Sequence, residues 1–151
     1  MPVFLADEQA LEVDTDDLLD LTRFVLEERE VPGDMEVSVL LVDAETIAAL
    51  NEQHLGHEGP TDVLAFPIDE PGEALADVPA ILGDVVVCPS VAHEQASGAG
   101  RQPHEELRLL TVHGLLHLLG MDHADPEQER AMFGLTDELL RRHATGRGAQ
   151  R

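Results

Sequence analysis

Eleven residues constrain this chain more than any others: His113-Gly114-Leu115-Leu116-His117-Leu118-Leu119-Gly120-Met121-Asp122-His123. Two histidines four residues apart on a helix project from one face, about one turn separated, so both imidazoles can bind one ion. Glycine adopts the left-handed backbone that ends a helix and turns the chain back, and Gly120 stands where that is needed. A third histidine three residues past the turn can then approach the same ion from another side. Three nitrogen ligands leave one corner of a tetrahedron open to water, as in catalytic rather than structural zinc sites. The stretch therefore predicts a helix, a glycine stop and a return of the chain, with His113, His117 and His123 as ligands of one metal ion per chain, zinc being the expected one. Imidazole accepts several divalent metals, so nickel or another ion stays open on spacing alone.

The spacing is similar to the metzincin signature H-E-x-x-H-x-x-G-x-x-H, with one substitution. Those proteases carry a glutamate as general base where this chain has Gly114. The ligand pattern is kept and the peptidase's base is missing, which argues against ordinary peptide hydrolysis.

H-G-L-L-H-L-L-G-M-D-H also resembles the signature of the YbeY family, bacterial metal-dependent endoribonucleases of ribosomal RNA maturation and ribosome quality control. A second block agrees, Asn51-Glu52-Gln53-His54-Leu55-Gly56 followed by Gly59-Pro60-Thr61-Asp62-Val63-Leu64-Ala65-Phe66-Pro67. A third, Leu82-Gly83-Asp84-Val85-Val86-Val87-Cys88, resembles the family's Gly-Asp-led strand. The resemblance runs from about Val37 to Phe133, in the family's order. It implies zinc on His113, His117 and His123, precursor ribosomal RNA as substrate, the small ribosomal subunit or its proteins as partner, and no membrane. One departure matters. Many members carry an aromatic-Arg-Gly triplet where this chain has His54-Leu55-Gly56. Leu55 cannot contact phosphate, so either another basic residue substitutes or RNA is bound differently.

Composition bounds the rest. A chain of 151 residues with 43% apolar content is expected to form one domain, 1–151, with about 144–151 as a flexible tail. No apolar run approaches the ~20 residues that span a bilayer. The N-terminus lacks the basic and long apolar regions of a signal peptide. Cys88, the single cysteine, reads as a buried reduced thiol, which fits a cytoplasmic protein. The charge is the awkward fact. Formal net charge is −22, and all nine basic residues are arginine. Nucleic-acid binders usually show a basic face, because neutralising phosphates supplies most of the affinity. High ionic strength, as in salt-adapted organisms, would screen the repulsion. So would a local cluster: Arg101 and Arg108 precede the metal motif, and Arg130, Arg141, Arg142, Arg147 and Arg151 follow it. Arg108 is the candidate substrate contact among them.

Along the chain, Asp14-Thr15-Asp16-Asp17 opens a helix to about Glu30, with Leu18, Leu21 and Val25 inward. Pro32-Gly33-Asp34 breaks it, and Met35–Val42 reads as a strand. Asp43 caps a helix to about Gln53. Val63–Phe66 is a short strand closed by Pro67, and 68–78 an acidic loop. Ile81–Cys88 is the clearest buried strand. Pro89 opens a helix to about Ser97, Pro103 the metal helix, and Asp125-Pro126 a last helix that frays after His143. Met132, Phe133, Leu135 and Leu139 are expected inward on that last helix. Val3–Leu5 adds a possible edge strand. The order suggests an α+β domain, a small mixed sheet packed with about five helices. The resemblance implies a four-stranded sheet around a largely buried, metzincin-like metal helix.

Several roles stay two-sided. Asp122 either orients a ligating imidazole or caps the turn after Gly120. Thr61 and Asp62 either line the substrate groove or lead into a strand. Asp84 is a metal-site neighbour or a strand-start residue. His54, His57, His93, His104 and His143 lack ligand spacing and read as ordinary polar residues. An ion on the three histidines can activate water, or polarise a phosphate for attack by the 2′-hydroxyl. The readings in play are therefore a zinc endoribonuclease, a metallopeptidase, and a non-catalytic zinc-containing ribosome assembly factor.

Overall fold

The computed structural model describes residues 2–55, 61–69, 80–122 and 124–149. Nine elements follow in order: β1 (Val3–Glu8), α1 (Thr15–Glu28), β2 (Glu36–Val42), α2 (Ala44–Leu55), β3 (Val63–Pro67), β4 (Ile81–Val87), α3 (Pro89–Ala99), α4 (Pro103–Leu118) and α5 (Pro126–Ala149). The α+β class with a four-stranded mixed sheet and five helices is as expected. Strand order is β1-β2-β4-β3, with β3 antiparallel to β4 and the other neighbours parallel.

Short side chains start three of the helices. The carboxylates of Asp14, Asp43 and Asp125 accept hydrogen bonds from the backbone N–H of Asp17, Thr46 and Gln128, at 3.1, 2.8 and 2.8 Å. Each satisfies a donor that the first helical turn leaves without a partner. Pro89 and Pro103 stand at the first position of α3 and α4, where a missing N–H costs nothing. Pro67 lies within β3 rather than beyond it. That strand is an edge of the sheet, the place where a proline is tolerated. Helix α5 continues past His143 to Ala149.

The sheet is covered on both faces, and alternation along each strand decides which residue goes where. Val37, Val39 and Leu41 of β2 and Val85 and Val87 of β4 join the main core with α1 and α4. Val42, Leu64, Val86 and Cys88 face the other way and pack with Ile47 of α2. That two-sided burial is why β4 reads as an unbroken apolar run. Cys88 is buried and free, as expected.

Helix α4 is the centre of the molecule. It meets α1, α3, α5, β3 and β4, and Leu107, Leu110, Val112, Leu115, Leu116 and Leu118 are all buried along it. Its apolar residues lie on more than one face, as contact with so many neighbours requires. Truncating Leu115 or Leu116, both 0% exposed, would cost about 2–5 kcal/mol. Among the described residues no helix is long and apolar enough to cross a membrane.

Candidate active site

Helix α4 sets one stripe of its surface toward a cleft of about 630 Å³. Glu106, Leu110, His113 and His117 follow one another at intervals of four, three and four residues, and all line it. The opposite wall comes from Thr61, Asp62 and the start of β3, and Phe133 of α5 closes one side. The i,i+4 histidine pair is therefore placed as its spacing requires. The two rings lie 5.0 Å apart between centroids, edge to face. Phe133 stacks on the His113 ring at 5.6 Å with planes 21° apart.

The helix stops where glycine allows it. Gly120 has φ of 94°. Its N–H bonds the carbonyl of His117 at 3.0 Å, and the N–H of Met121 bonds that of Leu116 at 3.0 Å. This paired closure is the Schellman arrangement, which turns the chain sharply after the second histidine. His123, the expected third ligand, lies outside the described residues. Among the described residues no group of three or more His, Cys, Asp or Glu side chains is placed to hold a metal. Asp122 is exposed beyond the turn.

Gly114 sits against the sheet. A Cβ there would come 2.6 Å from Val85 Cγ1 and 3.0 Å from Val63 Cγ2. The position that carries a glutamate in metzincins is here a close contact of α4 with β3 and β4. Gly83 makes a second close approach. Its φ is 147°, and a Cβ would lie 2.3 Å from the Phe66 carbonyl oxygen. The β2–β4 register shifts at this point, so the glycine of the Gly-Asp strand serves a β-bulge.

Thr61 and Asp62 reach the cleft, as one of their two readings required. The Asp62 carboxylate accepts from the Val63 N–H at 2.8 Å and from Gln95 of α3 at 3.2 Å, which holds it in place. Arg108 does not join them. Five helical residues before His113, it is turned about 140° round the helix. Its guanidinium donates to Asp17 at 2.7 Å and to Nδ1 of His143 at 3.0 Å.

That contact belongs to a polar cluster which the absence of ligand spacing concealed. His104 Nε2 also meets Asp17, at 2.7 Å, and His143 Nε2 meets Asp20 at 2.7 Å. Arginine only donates, so His143 Nδ1 accepts and its Nε2–H points to Asp20. His143 is a polar residue buried inside the fold. Burial by itself would raise the Asp17 carboxyl. The hydrogen bonds and charges of Arg108 and His104 outweigh that and hold it below its ordinary 3.8.

Phe133 corrects a second expectation. Adjacent helical residues point about 100° apart, and α5 buries the Met132 side of that pair while Phe133 faces away from the core. The inward stripe of α5 is Met132, Thr136, Leu139 and His143, all buried. Phe133 turns to the cleft and stays 44% exposed. Glu106 was also missed, although seven residues before His113 places it on the same face. Its carboxylate lies 3.1 Å from Arg101 Nε.

An α+β domain whose buried central helix carries an i,i+4 histidine pair into a cleft beside a carboxylate and a hydroxyl has side chains that hydrolases use. The chain matches the family model described as Endoribonuclease YbeY over residues 4–144, and it belongs to that family. It is 52% identical over 148 residues to the Endoribonuclease YbeY of Salinispora tropica, covering 93% of this chain and 94% of that one. The Acidothermus cellulolyticus protein of the same name is 50% identical over 147 residues, with 93% and 90% covered. A solution structure of a Thermotoga maritima protein superposes with a TM-score of 0.63 at 31% identity, covering 99% of this chain and 93% of the other.

Proposed function

We propose that this chain is a zinc-dependent endoribonuclease of the cytoplasm, acting on precursor ribosomal RNA in ribosome maturation and quality control, with the small subunit or its proteins as partner. The observation that carries the site is the pairing of His113 and His117 in one cleft, one turn apart, ahead of the Gly120 stop. Two imidazoles from one helix face suit zinc, and His123 would complete the set. When bound, zinc supplies Lewis-acid stabilisation of phosphoryl charge and lowers the pKa of a coordinated water.

The chain's own residues supply the rest. Among the described residues two carboxylates line the cleft, and Glu106 is paired with Arg101. Asp62, anchored by the Val63 N–H and Gln95, keeps lone pairs for accepting the proton of the attacking water or 2′-hydroxyl. Thr61 stands beside it as a hydroxyl contact to substrate. The peptidase reading loses support because the contact of Gly114 with Val85 and Val63 leaves no room for the metzincin base.

Metal analysis and cleavage assays test this together. About one zinc per chain is expected, lost with RNA cleavage in His113→Ala and His117→Ala. Asp62→Asn should retain zinc and lose roughly 10²–10⁴-fold in kcat, the range of a general base. Cleavage that survives His117→Ala in contaminant-free protein would overturn the proposal. Metal-dependent casein cleavage would revive the peptidase, and zinc with ribosome binding but no hydrolysis would favour the assembly factor.

A further inference from the structure

Phe133 is one of the few large apolar side chains left exposed among the described residues, and it lies in the cleft rather than on an outer surface. One face of its ring is engaged by His113 in a near-parallel stack. The neighbouring wall, with Val63, Ala65 and Leu109, is apolar. A cleft of about 630 Å³ falls in the range that binds small ligands. Its charge is unfavourable to a polyanion. The charged side chains that line it are Asp62 and Glu106, and no arginine among the described residues does so. Arg101, Arg108 and Arg142 are paired with Glu106, Asp17 and Glu28.

Among the described residues the lining offers RNA no cationic side chain, so beyond the charge of a metal held by the histidines a contact that needs no charge is favoured here. We propose that Phe133 is a stacking platform for an unpaired nucleobase of the RNA substrate, next to the phosphate presented to His113 and His117. The proposal rests on the endoribonuclease reading. Stacking on an aromatic ring needs no charge and tolerates every base, and it requires a base free of its own helix. Binding at this subsite should accordingly be selective for single-stranded RNA and only weakly dependent on salt.

The chain has no tryptophan or tyrosine, so Phe133→Trp installs a single fluorescent reporter at the subsite. A single-stranded oligoribonucleotide should quench it, and an abasic ribose-phosphate oligomer of equal length should not. Phe133→Leu should raise KM for single-stranded RNA roughly ten-fold or more, with zinc content unchanged, and Phe133→Trp should retain low KM. Equal quenching by both oligomers, or none by either while RNA is still cleaved, would overturn the stacking role and leave the endoribonuclease reading standing. A wild-type protein that neither binds nor cleaves RNA would overturn both.

Discussion

A methyl group added at Gly114 has nowhere to go. Valine is stiff at χ1, and Val85 is fully buried, so neither it nor the strand behind it yields without cost. Alanine is the better helix former by about 1 kcal/mol, but a 2.6 Å approach is overpacking, worth about 1–3 kcal/mol the other way. Gly114→Ala is therefore expected to lower the urea midpoint despite its helix propensity. An unchanged or raised midpoint would show that α4 can lift from the sheet freely. The absent metzincin base thus has a steric cause as well as a chemical consequence. From sequence, Gly114 was legible only as a missing glutamate. The contact that makes it glycine joins residues 63, 85 and 114, and no local pattern links them.

At the scale of elements, α1, α4 and α5 are pinned together by Asp17, Arg108, His143 and Asp20. Removing the guanidinium would leave the buried Asp17 with only part of its compensation. Arg108→Ala should cost about 1–3 kcal/mol in equilibrium unfolding, since His104 still meets Asp17, with zinc content in the folded protein unchanged. A loss of RNA affinity at unchanged stability would instead restore Arg108 as a substrate contact. The sign of the pH dependence follows from the lowered Asp17 carboxyl. Its contribution is complete above the ordinary 3.8 and is lost as pH falls through the lower folded value. Asp17→Asn should therefore be less stable than wild type at neutral pH, and the gap should close below about pH 4. A gap that stays constant into strong acid would mean that the charge of Asp17 adds nothing. Helix starts at Asp14, Asp43 and Asp125 were readable because a cap is a local bond. The cluster was not, since its directly bonded partners lie up to 123 residues apart.

For the whole molecule, 31 acidic residues against nine arginines produce self-repulsion that opposes the compact state. Salt shortens its reach to about 10 Å at 0.1 M, so Tm at neutral pH should rise as sodium chloride is added up to about 0.5 M. A Tm that falls over that range would mean that the ion pairs of Arg101, Arg108 and Arg142 matter more than net charge. The expected arginine contact to RNA is not found in the cleft among the described residues. Charge count is a property of composition, whereas charge placement depends on which helix face each residue occupies.

The α+β order, the caps, the apolar β4 and a histidine pair one turn apart with a glycine stop were all legible along the chain. All of these are set by interactions within a few residues, where periodicity and backbone preference act directly. That Gly114 presses on Val85, that Arg108 turns to Asp17 and that Phe133 faces the cleft emerged from the folded packing. Those outcomes depend on packing between segments far apart in the chain, where space and partners are settled by the assembled helices and sheet together.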